Sequence, residues 1–473
     1  MNRLLVSAAH KSSGKTTLTL GLAAALSAQG TVVQPFKKGP DYIDPMWLAL
    51  AAGRPCFNLD PYLMDEAALL RMFRQPLAGA GMALIEGNKG LHDGVALDGS
   101  NSNAALARLL GAPVLLVIDG RGMTRGVAPL ILGFQAFDRS IRIGGVILNR
   151  VGGSRHEAKL RAAIEHYTDV PVLGAVADDA RLAMTERHLG LMPCAEVAEA
   201  AAHVAEIGRI VGAQVDLEAV HRLAASAPGL PQALASALPE PAYRHGDRVR
   251  IGIARDRAFG FYYPDDLAAL QAAGADLQFI DTLHDQRLPM LDGLFIGGGF
   301  PETCLDALEA NSALRAALHQ AIVGGLPTYA ECGGLMLLSR SIRWRDRTAA
   351  MVGVIPGDAV LHERPVGRGY VHLQETAAMP WAAAPSPLVR GHEFHHSSLQ
   401  NLDPGLRFAY RVTRGHGIDG AHDGLVLHQM LASYTHLRSA TGSGWAPRFV
   451  DFVRQRRDAA AECDVRRDVA LPA

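Results

Sequence analysis

The stretch Arg3–Leu26, RLLVSAAHKSSGKTTLTLGLAAAL, decides how the first half of the chain folds. A short aliphatic run, a loop of small and polar residues and an alanine- and leucine-rich segment follow one another, so the pattern predicts a strand, a tight loop and a helix. Gly14, Lys15 and Thr16 fall at the junction of loop and helix. Backbone N–H groups of such a loop, with the helix N-terminus behind them, cradle phosphate oxygens; a lysine there reaches the outer phosphates and a threonine hydroxyl can ligate Mg²⁺. Ser13, Gly14, Lys15, Thr16 and Thr17 are the expected phosphate and ATP contacts. Ala9 stands where such a loop usually begins with glycine, which leaves room for a different loop path.

Outward from this stretch, short aliphatic runs keep alternating with longer helical patterns up to about residue 225. TVVQPF (Thr31–Phe36), MALIEG (Met82–Gly87), PVLLVID (Pro113–Asp119) and IGGVILN (Ile143–Asn149) are the further runs. Such alternation predicts βαβ units on a mostly parallel sheet, whose ligands bind outside the carboxyl ends of the strands. Three strand exits then belong to one crevice. KKGPDYIDP (Lys37–Pro45) crowds Lys37, Lys38, Asp41 and Asp44 at the first. EGNKGLHDG (Glu86–Gly94) brings Glu86 and then Asp93 to the second, where a carboxylate can hold Mg²⁺ or position water or substrate. Asn149 ends the third, where its amide either reads an adenine edge or caps the chain.

The segment Ala225–Arg248, ASAPGLPQALASALPEPAYRHGDR, concentrates proline, alanine and polar residues without an apolar period and reads as a linker. A second α/β pattern begins at VRIGIARD (Val249–Asp256), runs through LQFIDT, GLFIGGG and LPTYAECGG, and closes near SYTHLR. The expected division is a domain over 1–225, a linker over 226–247, a second domain over 248–440 and a charged helix or tail over 441–473.

Charged residues make up 20% of the 473, with a formal net charge of -1, which leaves no electrostatic footprint for nucleic acid or an acidic membrane. A small-molecule substrate is expected. Cys56, Cys194, Cys304, Cys332 and Cys463 are scattered without disulfide or zinc spacing, which fits a reducing compartment. The N-terminus lacks the pattern of a secretory signal and no apolar stretch of about 20 residues occurs, so neither export nor a membrane span is expected. The expected location is the cytoplasm.

In the second half, TYAECGGLML (Thr328–Leu337) puts Cys332 between a short strand and a helix, the strand–turn–helix elbow of other α/β nucleophiles. A thiol at a helix N-terminus has its pKa lowered by the dipole, and neighbouring glycines let N–H groups approach a developing oxyanion. Gly333 and, upstream in GLFIGGGFPE, Gly298 and Gly299 are the expected oxyanion donors. A cysteine nucleophile requires a histidine base, and His436 in LASYTHLR follows a late strand-like run. GHEFHHS (Gly391–Ser397) carries no recognisable ligand spacing and reads as a polar edge.

Together these residues resemble a known family. YAECGGLMLL with the late SYTHL is similar to the triad glutamine amidotransferase domain of the cobyrinic acid a,c-diamide synthase family. KKGPDYIDP, EGNKGLHDG, GVILNRVGGSRHE, ERHLGL and GHEFHHS resemble that family's motifs in order, from Ser7 to about Leu437. The resemblance implies an α/β architecture with a P-loop NTPase domain like dethiobiotin synthetase over 1–225 and a class I glutamine amidotransferase domain over 248–440. It implies ATP and Mg²⁺ as cofactors, and glutamine and a tetrapyrrole carboxylate as substrates, with amidation through an acyl phosphate. Cys332 is then the glutaminase nucleophile and His436 its base. Lys37 assists the γ-phosphate and Asn149 contacts adenine; Thr16, Asp41 and Glu86 serve the metal; Tyr42, Asp44 and Asp93 face the substrate. A homodimer is a further expectation.

Three departures qualify the likeness. Arg438 stands two residues after His436, where many triad amidotransferases have a glutamate; the loops AHKSSGKTT and EGNKGLHDG also differ from the commoner family forms. These variant loops, with DGSNSNAALARLL and RGMTRGVAPLILG, resemble the branch that amidates siroheme for dissimilatory sulfite reductase. Siroheme therefore stands beside cobyrinic and hydrogenobyrinic acid as an expected substrate. A non-catalytic P-loop ATPase switch is the alternative from a different class.

Overall fold

A computed structural model describes residues 1–187, 190–197, 199–230, 248–381 and 388–469, in two compact units that divide between residues 236 and 237. The division falls within the segment read as a linker, of which residues 231–247 lie outside the described residues, as do residues 188–189 of the ERHLGL motif and 470–473 of the tail.

In the first unit, β1 (Asn2–Ala8), β2 (Val33–Lys38), β3 (Phe57–Leu59), β4 (Met82–Glu86), β5 (Val114–Asp119), β6 (Ile143–Val151) and β7 (Val172–Ala177) form one sheet in the order β3-β2-β4-β1-β5-β6-β7. Every pairing is parallel. β2, β4 and β5 are buried at every position, which is why β4 and β5 read as near-continuous aliphatic runs instead of alternating ones, while β2 also buries Gln34, Lys37 and Lys38. The strand order reverses at β1, which lies between β4 and β5, and the phosphate loop follows β1 directly. That is the switch point where open α/β sheets bind ligands. The helix Lys15–Ala28 starts after Gly14, whose φ of 85° suits glycine.

The second unit carries a nine-stranded mixed sheet. Its strands are β8 (Val249–Ala254), β9 (Ala275–Ile280), β10 (Gly293–Ile296), β11 (Thr328–Glu331), β12 (Gly367–Glu375), β13 (Val389–His395), β14 (Arg407–Arg414), β15 (His422–Leu427) and β16 (Met430–Ser433), in the order β9-β8-β10-β11-β16-β15-β14-β12-β13. The half from β9 to β16 is parallel and the half from β16 to β13 antiparallel. β11 and β16 run side by side with Glu331 opposite Ser433, so the chain leaves both strands at one edge. One face is filled by Phe295, Tyr329, Trp381, Trp445 and Phe449. Trp445 and Phe449 come from the helix Trp445–Val469, so the second unit runs on into the region set apart as a tail.

Candidate active sites

Lys37, delivered by β2, is the hub of the first site. Its Nζ lies 2.5 Å from Asp44 Oδ2, 3.0 Å from Glu86 Oε1 and 3.8 Å from Asp41 Oδ2. Register explains the meeting, because Lys37 and Val6 both stand opposite Glu86 at the strand ends. Thr16 Oγ1 donates to Glu86 Oε1 at 2.6 Å and to Asp44 Oδ2 at 3.4 Å. Burial opposes a charge on Lys37, yet the carboxylates outweigh it and hold the amine charged above the ordinary lysine range. Burial pushes Glu86 up and, with the charge of Asp44, takes Asp41 up to about 7. Lys15 is pushed down by burial, partly offset by Glu86.

Asp44, and not Asp41, is the aspartate that reaches Thr16. Asp41 Oδ1 accepts the backbone N–H groups of Ile43 and Asp44 at 2.9 and 3.1 Å, so it is spent on starting the helix Ile43–Ala52. The oxygen set around Thr16 is therefore Asp44 and Glu86, where the sequence led us to expect Asp41 and Glu86. Glu86 Oε2 is buried with no hydrogen-bond partner. An orphaned carboxylate oxygen beside a threonine hydroxyl fits Mg²⁺, which binds through one or two carboxylates and phosphate oxygens. Among the described residues no three His, Cys, Asp or Glu side chains form a protein-only cage, so phosphate oxygens and water would complete the shell.

The phosphate loop is held from β6. Asn149 Nδ2 donates to the Ser13 carbonyl at 2.9 Å and Arg150 Nη1 to the Ser12 carbonyl at 2.8 Å. Ser12 and Arg150 both take positive φ, 67° and 56°, a strain that non-glycine residues sustain where surrounding contacts over-determine them. Ser13 Oγ donates to the His10 carbonyl at 2.8 Å, and Thr17 follows half-buried in the first helical turn. Asn149, expected at an adenine edge, thus commits its amide N–H to shaping the loop. Asp119 at the end of β5 pairs with Arg150 and Arg121, each at 2.8 Å, and is held at about 2 by these hydrogen bonds against its partial burial. The sequence reading passed over Asp119 and Arg150; the strand-end position of Asp119 was the available signal.

Lys38, buried and pushed down to about 8, donates to Asn88 Oδ1 at 2.9 Å. Asn103 fixes the same loop, donating to the carbonyls of Asn88 and Gly90 at 2.6 and 2.8 Å and to Ser7 Oγ at 3.1 Å. Asp93 is exposed and accepts the Gly90 N–H at 2.8 Å, and Tyr42 is half-buried at the head of the helix Ile43–Ala52.

In the second unit, Cys332 has φ 48° and ψ -99°, a conformation that non-glycine residues adopt at a cost, and the helix Gly333–Leu338 follows at once. The Cys332 N–H donates to the Ser433 carbonyl at 2.7 Å and pins the elbow to β16. A Cβ on Gly333 would stand 2.9 Å from the Gly299 nitrogen, and one on Gly298 would stand 2.6 Å from His436 Cε1. The three glycines, the cysteine and the histidine therefore occupy one small volume. Burial disfavours a charge on His436, but its hydrogen bonds to Cys332 and Glu331 overcome this and raise it to about 10. Glu331 Oε2 lies 3.1 Å from His436 Nδ1, while Oε1 accepts the Leu437 N–H at 3.0 Å and the Tyr329 hydroxyl at 2.5 Å. Such a set can form a thiolate–imidazolium pair, attack an amide carbonyl and steady the oxyanion from Gly299 and Gly333.

Arg438 is buried elsewhere, bound by Asp265 at 3.1 and 2.9 Å with Tyr263 beneath it at 4.5 Å. The GHEFHHS residues form a support: Glu393 accepts the His416 and Gly417 N–H groups at 2.7 and 2.9 Å, and His395 stacks on Tyr434 at 3.9 Å.

Two family models match the chain. One, described as a CobQ/CobB/MinD/ParA nucleotide binding domain, covers residues 5–191; the other, described as a CobB/CobQ-like glutamine amidotransferase domain, covers 250–442. A cobyrinate a,c-diamide synthase of Magnetococcus marinus is 47% identical over 459 residues, 96% of this chain and 97% of its own. Those of Methanosarcina acetivorans and Methanosarcina barkeri are 40% and 38% identical, over 92% and 96% of this chain and 92% and 97% of their own.

Proposed function

The chain belongs to the cobyrinate a,c-diamide synthase family and is a glutamine-hydrolysing ligase; from that premise we propose that it amidates side-chain carboxylates of cobyrinic or hydrogenobyrinic acid, in cobalamin biosynthesis, with ATP and glutamine. The observation that carries this reading is the occurrence in one chain of a phosphate loop facing Lys37, Asp44 and Glu86 and a cysteine elbow with its histidine in place. The alternative of a non-catalytic nucleotide switch gives no account of the second set.

A carboxylate does not react usefully with ammonia near neutral pH, because its negative charge deactivates the carbonyl carbon. Transfer of the γ-phosphoryl group of ATP to a carboxylate oxygen gives an acyl phosphate and ADP. Ammonia then adds to the carbonyl, loses a proton, and expels phosphate to leave the amide. Lys15 and Lys37 are fixed cations for the charge on the transferring phosphoryl group. Thr16, Asp44 and Glu86 would hold Mg²⁺, with Asp41 beside them; the ion neutralises phosphate charge when bound. Tyr42 and Asp93 would meet the substrate, and Asn149 would contact adenine while it shapes the loop.

In the second unit, the Cys332 thiolate attacks the side-chain carbonyl of glutamine, Gly298, Gly299 and Gly333 line the oxyanion position, and His436 gives its proton to the departing nitrogen. The carbon–nitrogen bond breaks to release ammonia. Water, deprotonated by His436, hydrolyses the thioester to glutamate and restores the thiol.

Siroheme is the second substrate reading. It rests on the departures of the loops AHKSSGKTT and EGNKGLHDG from the commoner family forms; in the second of these Asn88 accepts a hydrogen bond from the buried Lys38 at 2.9 Å. The proposal also includes a homodimer and a cytoplasmic location; the latter is supported by Cys56, Cys194, Cys304 and Cys332 being free thiols. No described helix is long and apolar enough to cross a membrane.

Cys332→Ala tests the division of labour. Glutamine-driven amidation should fall by about 1,000-fold or more, as on loss of other nucleophiles, while ammonium salts still support it. Undiminished use of glutamine would remove Cys332 from its assigned role.

A further inference from the structure

We propose that Glu331, the residue before the nucleophile, is the positioning acid of the glutaminase centre and supplies the function that Arg438 leaves vacant two residues beyond His436. The inference rests on the reading of Cys332 and His436 as nucleophile and base.

The strand ends bring the acid to the histidine. Glu331 closes β11 opposite Ser433, and three residues past Ser433 the chain places His436 beside it. Glu331 Oε2 lies 3.1 Å from His436 Nδ1. The carboxylate is held in that pose by two donors on Oε1, the Leu437 N–H at 3.0 Å and the Tyr329 hydroxyl at 2.5 Å. Tyr329 is itself locked between Phe295, Trp381 and Trp445. A carboxylate accepts only, so Nδ1 must carry the proton and Nε2 is left to exchange one with Cys332 or the leaving nitrogen. After that exchange the carboxylate faces an imidazolium at hydrogen-bond distance and stabilises it, the role an acid plays behind a catalytic histidine.

Three other described groups near His436 do not supply that charge. The His392 ring stacks on it at 5.1 Å and is driven toward neutrality by burial, by His436 and by Arg438. Arg438 is a cation held by Asp265, and Asp266, which accepts the Ser439 N–H at 2.7 Å, is pushed up by burial and by Asp265. Glu331, by contrast, places a carboxylate oxygen at hydrogen-bond distance from the ring.

The test compares glutamine hydrolysis across pH in the full-length protein and in Glu331→Gln, Glu331→Asp and Cys332→Ala. Glu331→Gln keeps the shape and an acceptor oxygen but loses the charge. We expect kcat to fall on the order of 100-fold with KM for glutamine little changed, and the alkaline limb of the kcat profile to move to lower pH, because the imidazolium loses its counter-charge. Glu331→Asp, which keeps the charge one methylene further back, should recover part of kcat and return the alkaline limb toward the wild-type position. Wild-type kcat and an unmoved alkaline limb in Glu331→Gln would overturn the proposal. If that variant does not fold, an aspartate variant with wild-type kcat overturns it and one with a lowered kcat supports it. Undiminished hydrolysis by Cys332→Ala would instead overturn the underlying glutaminase reading.

Discussion

Gly14 has no room for a side chain. An added Cβ would sit 2.0 Å from Asn149 Nδ2, and its φ of 85° would strain any other residue. Gly14→Ala should therefore displace either the loop or Asn149 and weaken nucleotide binding at least tenfold, about 1.4 kcal/mol, which titration calorimetry with ADP would read; an unchanged affinity would mean that the loop does not bind phosphate in this form. His436 makes a second residue-scale prediction. Its pKa rises from 6.5 to about 10 on folding, so the folded state binds the extra proton between those values. The stability it contributes is fully present below about pH 6.5 and is lost as pH rises toward 10. Relative to His436→Gln, the melting temperature of the wild type should decline over that interval; parallel curves would contradict the shift. The positions of these candidates were legible as residue types: Glu86 ends a strand before Gly87, Cys332 stands between a strand and Gly333, Lys15 follows Gly14 at a helix start, and His436 lies three residues past a strand. Choosing Asp44 over Asp41, and recognising Glu331, needed three dimensions: the first depends on which carboxylate caps a helix, the second on a strand register between β11 and β16.

At the scale of elements, the parallel strands were the readable ones, since burial on both faces leaves continuous aliphatic runs such as VLLVID in β5. The antiparallel half of the second sheet was not resolved from sequence. Its strands are partly exposed and carry residues such as the arginines of RFAYRVTR in β14, so their apolar signal is diluted. The three-residue β3 is too short to give a period. The C-terminal segment, expected as a charged helix or tail, is a helix whose packing was hidden for a related reason. Arginines and aspartates dominate its later turns, whereas its start buries Trp445, Phe449, Val450 and Val453 in the second unit. A Cβ on Gly293 of β10 would stand 2.6 Å from Val453 Cγ2, which shows how closely the helix lies on that strand. Phe449→Ala should cost about 3–5 kcal/mol, read as a lower denaturant midpoint of the second unit; a loss below about 1 kcal/mol would mean that the helix is a tail after all.

For the whole molecule, a nucleotide-binding domain and a glutamine amidotransferase domain share one chain, and each unit carries the residues proposed for its own half of the reaction. Lys15→Ala should abolish amidation from glutamine and from ammonia alike, whereas Cys332→Ala should lose only the first. The product expected from the two units together is an amide made on a tetrapyrrole carboxylate. The most direct measurement is mass spectrometry of cobyrinic acid, hydrogenobyrinic acid and siroheme, each incubated separately with the purified protein, Mg-ATP and glutamine. Replacement of a carboxyl OH by NH₂ lowers the mass by about 1 Da per site. One or two such steps on the corrinoid acids are the predicted result, and steps on siroheme alone would move the protein to the second substrate reading. No mass change on any of the three, with glutamine or with ammonia, would contradict the account.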